Sequence, residues 1–100
     1  MKFSIKNTGG NLINLARTIG YIFQREKEDL KNEASFIRPL ERSGYPRFHL
    51  YLKKEGEELI FNLHLDQKKP VFKTAPDHAA EYDGKLIEAE AKRIRQILIL

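Results

Sequence analysis

The chain has no cysteine among its 100 residues, which excludes disulfides, thiolate metal ligands and cysteine nucleophiles together. No apolar run approaches the roughly 20 residues that a helix needs to cross a bilayer. The first ten residues, MKFSIKNTGG, have none of the apolar stretch of a secretory signal. These absences set the expectation of a cytoplasmic protein with no membrane partner. The sequence also lacks an internal repeat, an HExxH motif and any consensus of the RNP type, so no named site is declared outright.

What is present is ordinary for a folded domain. Hydrophobic residues make up 41% and charged residues 32%, too apolar a mixture for a disordered chain and enough for one modest core. Residues 1–100 are therefore expected to form a single domain. The net charge of +4 is unevenly placed. Residues 1–50 hold 9 Lys/Arg against 5 Asp/Glu, whereas residues 51–100 hold 9 of each. A bias of this size is compatible with nucleic acid or an acidic partner, and falls well short of a basic tail.

Residues 11–19 carry Leu12, Leu15, Ala16 and Ile19 at helical spacing, with Thr8 or Asn11 to cap the start and Gly20 to end it. Residues 24–34, QREKEDLKNEA, hold almost nothing to bury and are expected to be a charged loop or an exposed helix. SFIRPL, residues 35–40, reads as an edge strand because of Pro39. Then two alternating runs, about 47–53 and 58–66, flank KEGE and predict an antiparallel hairpin. Its dry face takes Phe48, Leu50, Leu52, Leu59, Phe61, Leu63 and Leu65. A final helix is expected over 84–98, capped by Asp83, with Leu86, Ile87, Ala91, Ile94, Ile97 and Leu98 as its apolar stripe. The fold class is α+β: a small antiparallel sheet built on the central hairpin, with an N-terminal and a C-terminal helix packed on one face.

The other face of the hairpin is unusual in its chemistry. It takes Arg47, His49 and Tyr51 from the first strand and Asn62, His64 and Asp66 from the second, followed by Lys68. A two-residue loop at 55–56 sets His49 opposite Asn62, and a four-residue loop at 55–58 sets it opposite His64. Either register brings the imidazoles within reach of one another. Three uses compete for these residues. His49, His64 and Asp66, with His78 and Glu81 from the following segment, suit zinc or a similar divalent ion. Two histidines with Lys68 or Lys69 could also cleave a phosphodiester by general acid–base chemistry without a cofactor. Tyr51 among Arg47, Lys53 and the histidines suits single-stranded nucleic acid. A satisfied structural network, or a contact with another protein or a second copy, is the plainer use of the same groups.

PRFHLYL at 46–52, FNLHLDQKKP at 61–70 and EYDG at 81–84 resemble a group of short uncharacterised bacterial proteins. That resemblance spans residues 35 to 96 and implies a soluble intracellular protein. It transfers no activity, cofactor or functional residue. The expectation from sequence is a small non-enzymatic binding module. Its exposed face of Arg47, His49, Tyr51, Asn62, His64, Asp66 and Lys68 is a candidate for single-stranded nucleic acid. The alternatives are a metal-dependent or histidine-based hydrolase and a protein–protein or homodimer contact.

Overall fold

A computed structural model describes residues 1–7, 9–26, 32–67, 80–81 and 84–99. The longest strands are the two halves of the hairpin, β4 at Arg47–Glu55 and β5 at Glu58–Asp66. The turn between them is Gly56–Glu57, and Gly56 has φ +60°, the sign required at the first central position of a type II′ turn. Glu55 pairs with Glu58, so His49 stands opposite His64, Tyr51 opposite Asn62 and Arg47 opposite Asp66. Of the two registers open from sequence, the one that faces the imidazoles directly is formed. It is reached because pairing continues two residues beyond Lys53, to a tighter turn than KEGE suggested.

β1 (Lys2–Lys6) pairs with β5 on one side of the hairpin, and β3 (Glu33–Pro39) pairs with β4 on the other. β2 (Ile22–Glu26) adds beyond β3, and β6 (Ala80–Glu81) pairs with Leu65 and Asp66 of β5. All pairings are antiparallel, in the order β1-β5-β4-β3-β2. β1 and β2 were not foreseen. KFSIK has the period of a strand, with Phe3 and Ile5 buried between exposed Lys2, Ser4 and Lys6. β2 is held by backbone bonds to β3, which leave no mark on hydrophobic spacing. The expectation of a charged loop or exposed helix at 24–34 is therefore corrected at both ends. Residues 24–26 belong to β2 and residues 33–34 to β3, while 27–31 lie outside the described residues. The edge-strand expectation for residues 35–40 is corrected, since β3 lies between β4 and β2; Pro39 is tolerated because it stands beyond Ile37, the last residue matched by β2, where no ladder bond is asked of its missing N–H.

Helix α1 (Leu12–Thr18) starts at Asn11, whose side chain accepts the Asn14 amide at 2.8 Å. It stops at Gly20, with φ +88°, where the Tyr21 amide turns back to the Ala16 carbonyl. Helix α2 (Lys85–Ile99) closes the described chain; Asp83, its expected cap, lies outside the described residues. Leu12, Ala16, Ile87, Ala91 and Ile94 join one cluster with Phe3, Phe36, Leu50, Phe61 and Leu63. Both helices thus contribute to the core that covers the apolar sheet face. Among the described residues, no helix is long and apolar enough to cross a membrane.

The buried stripe of α2 differs from the apolar one. Leu86 and Ile97 are exposed, whereas Glu90 is buried. Its carboxylate accepts Tyr21 Oη at 2.7 Å and both Nε and Nη2 of Arg93, at 2.7 and 2.9 Å, with Arg38 Nη1 at 3.4 Å. Arg93 also donates to the Ile19 carbonyl, so this cluster ties α2 to the end of α1. Burial pushes the Tyr21 hydroxyl up, and the Glu90 charge adds to that shift.

Candidate functional site

The polar side chains of β4 and β5 meet on the face opposite the main core. Side chains two apart on a strand share a face, so His64 and Asp66 stand side by side on β5, and Arg47, His49 and Tyr51 on β4. The register completes the group. Asp66 Oδ1 lies 3.2 Å from His64 Nε2, and Oδ2 lies 3.3 Å from His49 Nδ1. Arg47 Nε donates to the same Oδ2 at 3.2 Å. One carboxylate therefore faces two imidazoles and a guanidinium. Burial alone would push Asp66 up, but hydrogen bonds from His49 and His64, the His64 charge and Arg47 outweigh it. Together they hold the carboxyl well below its usual range.

The rings pack as well as bond. His49 stacks on Tyr51 with centroids 4.6 Å apart, and His64 tilts against His49 at 4.7 Å. His64 is buried, and the His49 side chain is only 12% exposed. β3 and β2 supply the far side of His49. Ser35 is buried and lies opposite Tyr51 in the β3–β4 ladder, diagonal to His49. Its Oγ is 2.7 Å from His49 Nε2, and its hydroxyl donates to Gln24 Oε1 at 2.8 Å. The register shift between Phe23 and Arg25 brackets Gln24.

With Gln24 Oε1 turned to Ser35, the proton positions along this chain follow. Ser35 has one hydroxyl proton, and it goes to Gln24. Ser35 Oγ must then accept from His49 Nε2–H. With Nε2–H given to Ser35, the hydrogen bond from His49 Nδ1 to Asp66 Oδ2 belongs to the doubly protonated ring; in the neutral ring a lone pair faces Oδ2 there, which is repulsive. A second ring proton or a metal cation at that position removes the repulsion. The reverse amide orientation at Gln24 would run the chain the other way, so the tautomer of His49 is the measurable sign of it.

Of the residues expected on an exposed face, Asn62 is exposed; Arg47, Tyr51 and Asp66 are partly buried and His64 fully so. Lys68 and His78 lie outside the described residues. Glu81 belongs to β6, whose backbone pairs with Leu65. Gln24 and Ser35 were missed from sequence. Only the pairing of β2 and β3 brings them to His49, and neither stands in a motif.

The Ser35–His49–Asp66 order looks like that of a nucleophilic triad, but Ser35 is buried in mid-strand with its proton committed to Gln24. Acyl transfer also needs donors aimed at a developing oxyanion. The backbone amides near Ser35 lie within ladders to β2 and β4. His49, His64 and Asp66 do suit a metal. Each offers one ligand atom, and all three atoms lie within 4.8 Å of one another.

Comparison with protein-family models, curated proteins and solved structures finds no match to this chain.

Proposed function

We propose that this protein binds a divalent transition-metal ion through His49 Nδ1, His64 Nε2 and an Asp66 oxygen, leaving further coordination positions to water and ligand. The observation that supports this reading is the convergence of the three donors. His64 Nε2 lies 3.2 Å from Asp66 Oδ1 and His49 Nδ1 lies 3.3 Å from Oδ2, so both imidazoles address one carboxylate. Two imidazoles and one carboxylate suit zinc, iron(II) or a similar borderline ion better than calcium or magnesium. The Gln24–Ser35 pair supplies the outer support that metal-bound histidines use, since it holds His49 Nε2–H and turns Nδ1 inward.

With three protein ligands, an ion held here would supply activation of water for hydrolysis. Calorimetric titration of the full chain with Zn²⁺, and with Co²⁺ as a visible stand-in, tests the reading. One ion per chain is expected, lost in His64→Ala and in Asp66→Asn. Absence of stoichiometric binding by the wild-type chain overturns it.

A further inference from the structure

We infer that the ligand of this centre is a small oxyanion, a phosphate or a carboxylate, and that Arg47 is its second anchor. The inference rests on the metal reading above and assigns the substrate class of that same site.

Arg47 ties down one of its three nitrogens among the described residues. Its Nε donates to Asp66 Oδ2 and its guanidinium lies over the Tyr45 ring, 4.5 Å from the centroid. Neither Nη atom makes a hydrogen bond among the described residues. No buried side-chain nitrogen or oxygen among them lacks a partner, so both Nη atoms reach solvent. Yet the side chain is only 16% exposed. An arginine kept merely for solubility waves its head group in water. This one is largely covered, with its guanidinium over an aromatic ring, its Nε tied down and the remaining donor edge unpaired among the described residues. That is a pre-oriented fork, which is worth most against a planar or tetrahedral oxyanion.

Position and charge point the same way. Arg47 Nε and His49 Nδ1 address the same oxygen, Asp66 Oδ2. The fork is thus one carboxylate away from the metal position. A ligand with two oxygens on one central atom could offer one to the ion and the other to the guanidinium. A divalent ion with Asp66 as its one anionic ligand and Arg47 alongside carries two net positive charges, which a phosphate or carboxylate offsets and a neutral ligand does not.

The test uses the full-length chain loaded with Co²⁺, titrated with inorganic phosphate and, separately, with acetate. Two signals are followed, the visible Co²⁺ absorption and the side-chain ¹H–¹⁵N resonances of Arg47. Saturable changes in both signals from one of the anions are expected, and the tighter anion names the ligand class. Arg47→Lys keeps the charge beside Asp66 but has no fork. At saturating Co²⁺ it should bind the anion at least tenfold more weakly than wild type does. Co²⁺ binding with no response to either anion, or with equal anion affinity in Arg47→Lys, overturns the inference while the metal reading stands. Failure of Co²⁺ to bind removes both. The Arg47 resonances are read on the wild-type chain, so the inference stays testable if the variant does not fold.

Discussion

His49 Nε2 lies 2.7 Å from Ser35 Oγ, and this contact decides which nitrogen of His49 faces Asp66. Because Ser35 passes its own proton to Gln24, the imidazole is a donor on the serine side. Long-range ¹H–¹⁵N correlation of the metal-free protein should show His49 protonated at Nε2 throughout the neutral range. A neutral ring protonated only at Nδ1 would mean that the chain of donors runs from Gln24 towards Asp66 instead.

Ser35→Ala follows from the same contact. It removes the acceptor of His49 Nε2–H without touching a proposed ligand. Outer-shell partners of this kind are worth roughly 10- to 100-fold in metal affinity, so a loss within that range is expected by Zn²⁺ titration. The fold should lose only about 1 kcal/mol, the usual worth of a neutral hydrogen bond. Unchanged affinity would show that Ser35 has no part in orienting His49.

Asp66→Asn tests the carboxylate as a hub. The amide is neutral and cannot serve Arg47 and His64 as the carboxylate does, and a loss of about 1.5–3 kcal/mol is expected at pH 7, typical of hydrogen bonds to charged groups. The sign with pH also follows. The folded-state carboxyl sits well below its usual range, so its contribution is present above about pH 4 and fades as the solution is acidified further. Urea denaturation at pH 7 and pH 3 should therefore show a smaller gap between variant and wild type in acid. A gap that widens in acid would contradict it.

Glu90→Gln probes the other polar cluster. The substitution leaves Arg93 and Arg38 facing a neutral amide in a position where the Glu90 side chain is only 3% exposed. The arginine side chains left behind are 32% and 33% exposed, so the loss is about 1.5–3 kcal/mol, that of hydrogen bonds to a charged group. Stability should fall steeply by chemical denaturation, while Zn²⁺ affinity of the folded fraction stays that of wild type. A loss of metal affinity would reveal coupling between the two clusters.

Tyr21 predicts the alkaline limb. Burial and Glu90 raise its folded-state pKa far above that of the unfolded chain. Stability from Tyr21 is whole below about pH 10. Above that the unfolded chain releases a proton that the folded one keeps, and stability falls by about 1.4 kcal/mol per pH unit. Tyr21→Phe should be less stable at pH 7, having lost the bond to Glu90, and should show a flatter decline between pH 10 and 11. Parallel alkaline limbs would mean that Tyr21 does not stay protonated in the fold.

The hairpin and its chemistry were legible because both strands have one buried face, and half-burial writes itself into sequence as a period of two. His49, His64 and Asp66 could be grouped before the register was known, since either turn brings the imidazoles together. The turn itself was misjudged by two residues, as charged strand ends carry no burial signal. β1 shows the same period of two in KFSIK and was legible in principle. β2 was not, because an edge strand held by its backbone needs little apolar spacing. On α2 the apolar stripe pointed to nearly the right side, but Leu86 and Ile97 fall at its margins and Glu90 takes a buried place. Nothing local to residues 85–99 could show that, for Tyr21 and Arg38 reach Glu90 from 69 and 52 residues away.

By itself, then, the sequence determined an α+β chain, the hairpin and the set of polar groups on its second face, because periodicity and turn chemistry act over a few residues. Tertiary structure alone decided that Ser35 and Gln24 orient His49, that Arg47 spends one nitrogen on Asp66 and keeps two bare, and that Glu90 can be buried. Each of these depends on partners from distant strands, whose distances are set by sheet order and register.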